Sequence, residues 1–313
     1  MKKRAARRCR ESMCRVSWFG RDRSPSRPPE ALLGCKGVLL LALVLLMGCG
    51  RTPPPPTPGA LRLVSTAPNL TELMFAIGAD GCLVGRTDVC DYPPESARIP
   101  AVGGFATPRL EPLLAARPTH VLESTLEDLS VEKHLASLGI PLVHVACAHL
   151  DDIPAALLQL GDLTGRLPQA QALADIIRAG FAQARADSTA RTPRPRVFLL
   201  LAPESPITAG GGTFISELLT LAGGDNVAAD VSPSDYFRVT DEWLLTCDPD
   251  IILCLFDTQG RDPAALFSSR VGWQALGAVT GRRVRTVANP DTVVRPGPRV
   301  LEGLAQLKAC LGG

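Results

Sequence analysis

The chain has 313 residues, 46% of them hydrophobic and 20% charged, enough apolar material for two compact domains. Its net charge of +2 conceals an asymmetry: residues 1–36 carry eleven Lys and Arg against three Asp and Glu, residues 37–48 carry none, and everything from Cys49 onward is net acidic. A mildly acidic body argues against nucleic acid as a partner.

Ten apolar residues, 38–47 (VLLLALVLLM), follow the basic leader. A bilayer-spanning helix needs about 20 such residues, so the run suits the apolar region of a secretory signal. It closes on Leu46-Met47-Gly48-Cys49, which resembles a bacterial lipobox. On that reading residues 1–48 are a signal peptide with a long basic leader, and Cys49 is the lipidated first mature residue. An ordinary signal peptide or a buried strand is the alternative. Residues 51–59 (RTPPPPTPG) form a stiff polyproline stand-off, rising about 3.1 Å per residue, so 49–60 is anchor plus linker. An exported compartment permits disulfides among Cys82, Cys90, Cys147, Cys247, Cys254 and Cys310, but no spacing matches a zinc module. Cys254 lies in an apolar run and reads as a core thiol.

The body starts with a strand at 61–65. A helix follows at 70–77, with Asn69 as N-cap, Glu72 completing a capping box, and Gly78 as the stop. Strands are expected at 82–85, 120–123 and 141–145, and helices at 110–116 and 131–138. Residues 91–95 are a turn. From 153 to about 190 the pattern is helical, broken once at Gly165-Arg166-Leu167-Pro168, and the part from 169 to 190 spans about 30 Å. Strands return at 197–201, 251–256 and 283–287, with helices at 214–221, 242–245 and 300–311. Strands alternating with helices imply parallel sheets covered on both faces. The organisation is an N-terminal α/β lobe (61–150), a helical connector (151–192) and a C-terminal α/β lobe (193–313).

Two segments recur in order. Thr71-Glu72-Leu73-Met74 with Gly78-Ala79-Asp80 returns 145 residues later as Ser216-Glu217-Leu218-Leu219 with Gly223-Gly224-Asp225. Leu110-Glu111-Pro112-Leu113-Leu114, with its downstream Pro118, returns 131 residues later as Asp241-Glu242-Trp243-Leu244-Leu245 with Pro249. The repeat implies two similar lobes with a ligand cleft between them. It also makes Glu111 and Glu242 equivalent, each near a helix start. Dipole complementarity explains such carboxylates, and so does a matched acidic pair that docks a basic two-fold partner.

APNLTEL (67–73), VGRTDVCDYPPE (84–95), VGGF with LEPLLAARP (102–118) and TAGGGTFISELLTLAGGDN (208–226) carry a resemblance over roughly 61–310. The chain resembles the substrate-binding proteins of bacterial cobalamin and iron-siderophore ABC importers. The resemblance implies two Rossmann-like lobes with parallel central sheets joined by one long rigid helix, the class III periplasmic-binding-protein fold. It implies that Pro68, Phe105 and Tyr236 line the cleft, that Asp291 and Arg295 contact the ligand's polar edge, and that Glu111 and Glu242 dock arginines of the permease. Val89 and Ile207 depart from the family pattern, standing where aromatics are expected.

Haem would want a Tyr or His in the cleft. His120 and His144 fall in strands and read as core or strand-end residues; His149 lies in a turn and stays open. Tyr92 belongs to the turn at 91–95. Gly210-Gly211-Gly212-Thr213 reads as a loop, with an anion nest as the alternative. No nucleophile–base constellation points to an enzyme. The expectation is a monomeric, lipid-anchored periplasmic receptor without a resident cofactor. It would capture a corrinoid, cobalamin or a precursor, for an ABC permease and ATPase. A haem or ferric-siderophore receptor, or a tethered sensing or adhesion lipoprotein, is the alternative.

Overall fold

The computed structural model describes residues 60–312 apart from 126–128, 190–192, 203, 205, 233–235 and 268–269. The signal peptide, Cys49 and the linker therefore lie outside the described residues.

The first lobe runs β1 (Leu63–Ser65), α1 (Pro68–Ala76), β2 (Leu83–Gly85), the two-residue strands β3 (Gly103–Gly104) and β4 (Thr107–Pro108), α2 (Leu110–Ala115), β5 (His120–Glu123), α3 (Leu129–Ser137) and β6 (Leu142–His144). Two helices follow, α4 (Asp152–Thr164) and α5 (Leu167–Thr189). The second lobe holds β7 (Arg196–Leu200), β8 (Ile207–Ala209), α6 (Phe214–Ala222), β9 (Asp225–Asn226), β10 (Tyr236–Arg238), α7 (Asp241–Cys247), β11 (Ile251–Cys254), α8 (Gly277–Thr280), β12 (Val284–Thr286), α9 (Asp291–Val294) and α10 (Val300–Leu311).

Both four-stranded sheets are parallel. The first has the order β2-β1-β5-β6 and the second β9-β7-β11-β12. In each, the second strand lies outside the first, and the third and fourth follow on the other side. The sequence repeat is thus a repeat of topology. Gly78 and Gly223, equivalent in the 145-residue offset, both end their helices at positive φ, 69° and 94°, which an L side chain enters only under strain.

Side chains alternate through the sheets with period two. Val64 and Val121 face outward to Leu113, Val131 and Leu135. Phe198, Leu200, Ile252 and Cys254 face outward to Phe267 and Trp273. The opposite faces, Leu63 and Leu122 in one sheet and Val197, Leu199, Ile251 and Leu253 in the other, join a single apolar cluster. Helices α1, α4, α5, α6, α9 and α10 contribute to it as well.

The helical connector is two helices. Gly165 turns the chain at φ 70°, and α5 restarts at once with Pro168 in its first turn, where a missing N–H costs nothing. Its 23 residues extend about 35 Å. One local expectation fails. Helix α1 begins at Pro68, its N-cap is Ala67, and no side chain caps it. Asn69 and Glu72 point elsewhere, and tertiary partners outcompete the capping box. The six described cysteines are free, and burial pushes the Cys254 thiol up to about 12.

Candidate functional site: a cleft between the lobes

A cavity of about 690 Å³ lies at the carboxyl ends of both sheets. Ser124 and Thr125 reach it from the end of β5, Ala146 from beyond β6, and Leu201 from the end of β7. Strand ends at a junction of this kind are where open α/β sheets hold ligands. Gly212 and Thr213, ahead of α6, complete one wall. The Gly-rich loop is therefore part of the cleft, with Thr213 Oγ1 donating to the Gly210 carbonyl at 2.7 Å.

Phe105 and Tyr236 both line the cavity, and both are half exposed, at 50% and 51%. The 131-residue offset that relates Glu111 to Glu242 also relates Phe105 to Tyr236. The cleft thus has an aromatic pair at equivalent places, one ring in each lobe, and the buried Phe214 of the second lobe lines it as well. Phe105 sits at the tip of the β3–β4 hairpin. Its neighbour Ala106 is buried at φ 53°, and the Ala106 N–H donates to the Thr66 carbonyl at 3.3 Å. Tyr236 is fixed by antiparallel pairing of β10 with β8, opposite Ala209. Val89 is exposed at 43%; neither it nor Ile207 lines the cavity.

The other expected ligand residues sit elsewhere. Pro68 is buried at the first position of α1, and its neighbour Asn69 lines the cavity instead. Asp291 and Arg295 lie behind the wall that Val294 and Pro296 present. Arg295 is already paired with Asp91 at 2.7 Å, Asp291 at 3.0 Å and Glu72 at 3.2 Å. Arg299 grips Glu72 with two bonds, of 2.9 and 2.8 Å, and stacks 3.7 Å over the Tyr92 ring. Glu72 itself is 2% exposed. The network crosses between lobes, because Glu72, Asp91 and Tyr92 belong to the first and the arginines to the second. Burial works to raise the Asp91 carboxyl, but the hydrogen bond and charge of Arg295 outweigh it and hold it below its usual value. Burial keeps the Asp291 carboxyl raised despite Arg295.

Glu217, the repeat equivalent of Glu72, also reaches across. It accepts the Leu150 N–H at 2.9 Å and meets His149 Nδ1 at 2.7 Å, and that hydrogen bond raises the His149 pKa. Two equivalent glutamates therefore tie each lobe to the other. Their partners lie far away in sequence, 223 and 227 residues for Glu72, so no local pattern marks them.

His144 and His149 both line the cavity, as does Cys147. The strand-end reading of His144 is correct, and that strand end is the cleft. Glu111 and Glu242 are exposed in the first turns of α2 and α7. Among the described residues no helix is long and apolar enough to cross a membrane.

Residues 63–290 match the family described as periplasmic binding protein. The chain is 30% identical over 254 residues to a vitamin B12-binding protein of Pectobacterium carotovorum subsp. carotovorum (strain PC1), covering 79% of this chain and 86% of that one. It is 29% identical to an uncharacterized ABC transporter substrate-binding lipoprotein of Bacillus subtilis (strain 168), over 79% of this chain and 78% of the relative. Among solved structures, the periplasmic vitamin B12-binding protein of Vibrio cholerae superposes with a TM-score of 0.70 at 27% identity. That match covers 80% of this chain and 96% of the other.

Proposed function

From a chain that belongs to the periplasmic binding protein family, we propose a lipid-anchored substrate-binding protein of an ABC importer that captures a corrinoid between its lobes and hands it to the permease. The observation that carries this reading is the pair Phe105 and Tyr236. Two repeat-equivalent rings, one per lobe, face one cavity and offer flat apolar walls to a flat macrocycle. The vitamin B12-binding relatives point to the same cargo class. Asp291 and Arg295 serve the cargo indirectly on this reading, by holding Val294 and Pro296 in the wall. Glu111 and Glu242 dock the permease, and Cys49 carries the lipid, in keeping with the lipoprotein name of one relative.

Calorimetric titration of the soluble body with cyanocobalamin, cobinamide, haemin and ferric siderophores tests the assignment. A corrinoid should bind with a Kd below about 10 μM. Phe105→Ala and Tyr236→Ala should each weaken binding by roughly tenfold, on the scale of a lost aromatic stack. Corrinoid binding absent at that limit, or unchanged in both variants, would sink the reading.

A further inference from the structure

Asn69 is the second residue of α1, is 5% exposed, and lines the cleft. Its Nδ2 donates to the Pro296 carbonyl of the other lobe at 3.4 Å. A carbonyl oxygen only accepts, so the nitrogen faces Pro296 and the orientation of the amide is fixed. Cys147 agrees with that orientation. Burial raises its thiol to about 12, and a hydrogen bond from Asn69 works against the burial, as only a donor to the thiolate does. Both contacts use the nitrogen, and Oδ1 accepts no bond. Among the described residues, the sealed side-chain atoms without a partner belong to Arg194, Thr208 and Arg270. Oδ1 is not one of them; it opens on the cavity that Asn69 lines.

A nearly buried oxygen with unused lone pairs calls for a donor. The second lobe supplies the complement. Helix α6 begins at the cavity with Phe214 and Ile215, no side chain caps it, and its first N–H groups have no intrahelical partner. An acceptor from one lobe and donors from the other match a primary carboxamide, which presents N–H and C=O together. A carboxylate presents acceptors alone and sets an oxygen against Oδ1. Among the described residues no Lys or Arg lines the cavity to pair with such a charge. The two imidazoles there, His144 and His149, each face a glutamate, Glu123 and Glu217, so neither pair brings net positive charge. Moving a carboxylate from water into such a wall costs far more than moving an amide.

We propose that Asn69 is a specificity residue: its Oδ1 accepts an N–H from a macrocycle edged with neutral carboxamides, and the cavity rejects one edged with carboxylates. The proposal deepens the capture reading and rests on the cleft being the cargo site. It concerns the edge of the cargo and is independent of whether the ring is a corrin.

The test is calorimetric titration with two pairs of probes, each pair differing only at its edge. One pair is dicyanocobyrinic acid and its heptaamide, with both axial sites held by cyanide; the other is haemin and its diamide. The unmodified protein should bind the amide member at least roughly tenfold more tightly than the acid, the scale of one hydrogen bond to a buried acceptor. Asn69→Leu keeps the volume, removes the acceptor, and should bring the two affinities together by weakening the amide. Asn69→Asp keeps the shape, adds an acceptor and a negative charge, and should widen the ratio. Circular dichroism confirms that each variant is folded, and the preference of the unmodified protein is read without any variant. Corrinoids bound without regard to their edge, or with a preference that survives Asn69→Leu, overturn the role of Asn69 and leave corrinoid capture standing. Binding of the haemin pair alone, with an amide preference that Asn69→Leu removes, upholds the role of Asn69 and overturns the corrinoid reading. A preference for the acid in a pair that binds overturns the proposal, and failure of all four probes to bind overturns both readings.

Discussion

Glu72→Gln is the substitution that most directly tests the brace between the lobes. The glutamine keeps the shape of the side chain and removes its charge. At 2% exposure, Glu72 has no water to replace what it loses, and it accepts three bonds from two guanidinium groups. Removing one partner of a buried ion pair costs about 3–5 kcal/mol. Arg295 retains Asp91 and Asp291, so only Arg299 is left without a carboxylate, and the lower end applies, about 3 kcal/mol. In a domain of this size, about 2–4 °C of melting temperature is lost per kcal/mol, so the midpoint should fall by roughly 6–12 °C. Thermal unfolding by circular dichroism measures it. The double variant Glu72→Gln with Arg299→Gln removes both charges and should cost less than the two single changes together. A single variant that melts within about 2 °C of the parent, or a strictly additive double, would refute the reasoning.

Other consequences are open to measurement. Glu111→Ala combined with Glu242→Ala should leave corrinoid affinity unchanged and abolish uptake in a reconstituted importer; surviving uptake contradicts the docking role. Gly303→Ala places a Cβ 2.1 Å from the Thr292 carbonyl oxygen, forcing α10 off α9. Overpacking of that kind costs about 1–3 kcal/mol, read from the urea midpoint. The His149–Glu217 tie should depend on pH. Its hydrogen bond raises the folded-state pKa of His149, so its contribution is full below the unfolded value of about 6.5 and disappears as pH rises through the folded value. His149→Gln should accordingly reduce stability at low pH and become neutral at high pH; an effect independent of pH would contradict the assignment. Asp91 behaves oppositely. Its carboxyl is depressed on balance, so Asp91→Asn should destabilise above the unfolded value of about 3.8 and lose its effect in acid.

Elements with strong punctuation were legible in the sequence. Helix α1 ends at Gly78, α2 gives way at Pro118, and α5 follows Gly165 as their breakers imply. The repeat was legible as well, and with it the pairing of Glu111 with Glu242. The same offset relates Phe105 to Tyr236, a correspondence available from the sequence once the repeat is known. What could not be read was the destination of polar side chains. Asn69 and Glu72 form a good local cap on paper, yet Asn69 lines the cavity and bonds the Pro296 carbonyl, and Glu72 bonds Arg295 and Arg299. Arg295 matched a ligand contact by position, and its carboxylate partners are visible only when the lobes are docked. The short strands β3, β4, β8 and β10 escaped because two or three residues carry no periodicity. The meeting of His144 with Glu123 follows from strand register, which neither composition nor spacing encodes.

The apolar cluster that runs through both sheets and six helices makes the cleft a crease in one solid rather than a gap between two. A crease is shaped when the chain folds, before any cargo arrives. Little conformational freedom then remains to be lost on binding, and the interaction free energy goes into holding the cargo. Differences in affinity among related macrocycles should therefore show in how slowly they leave, with arrival rates nearly alike.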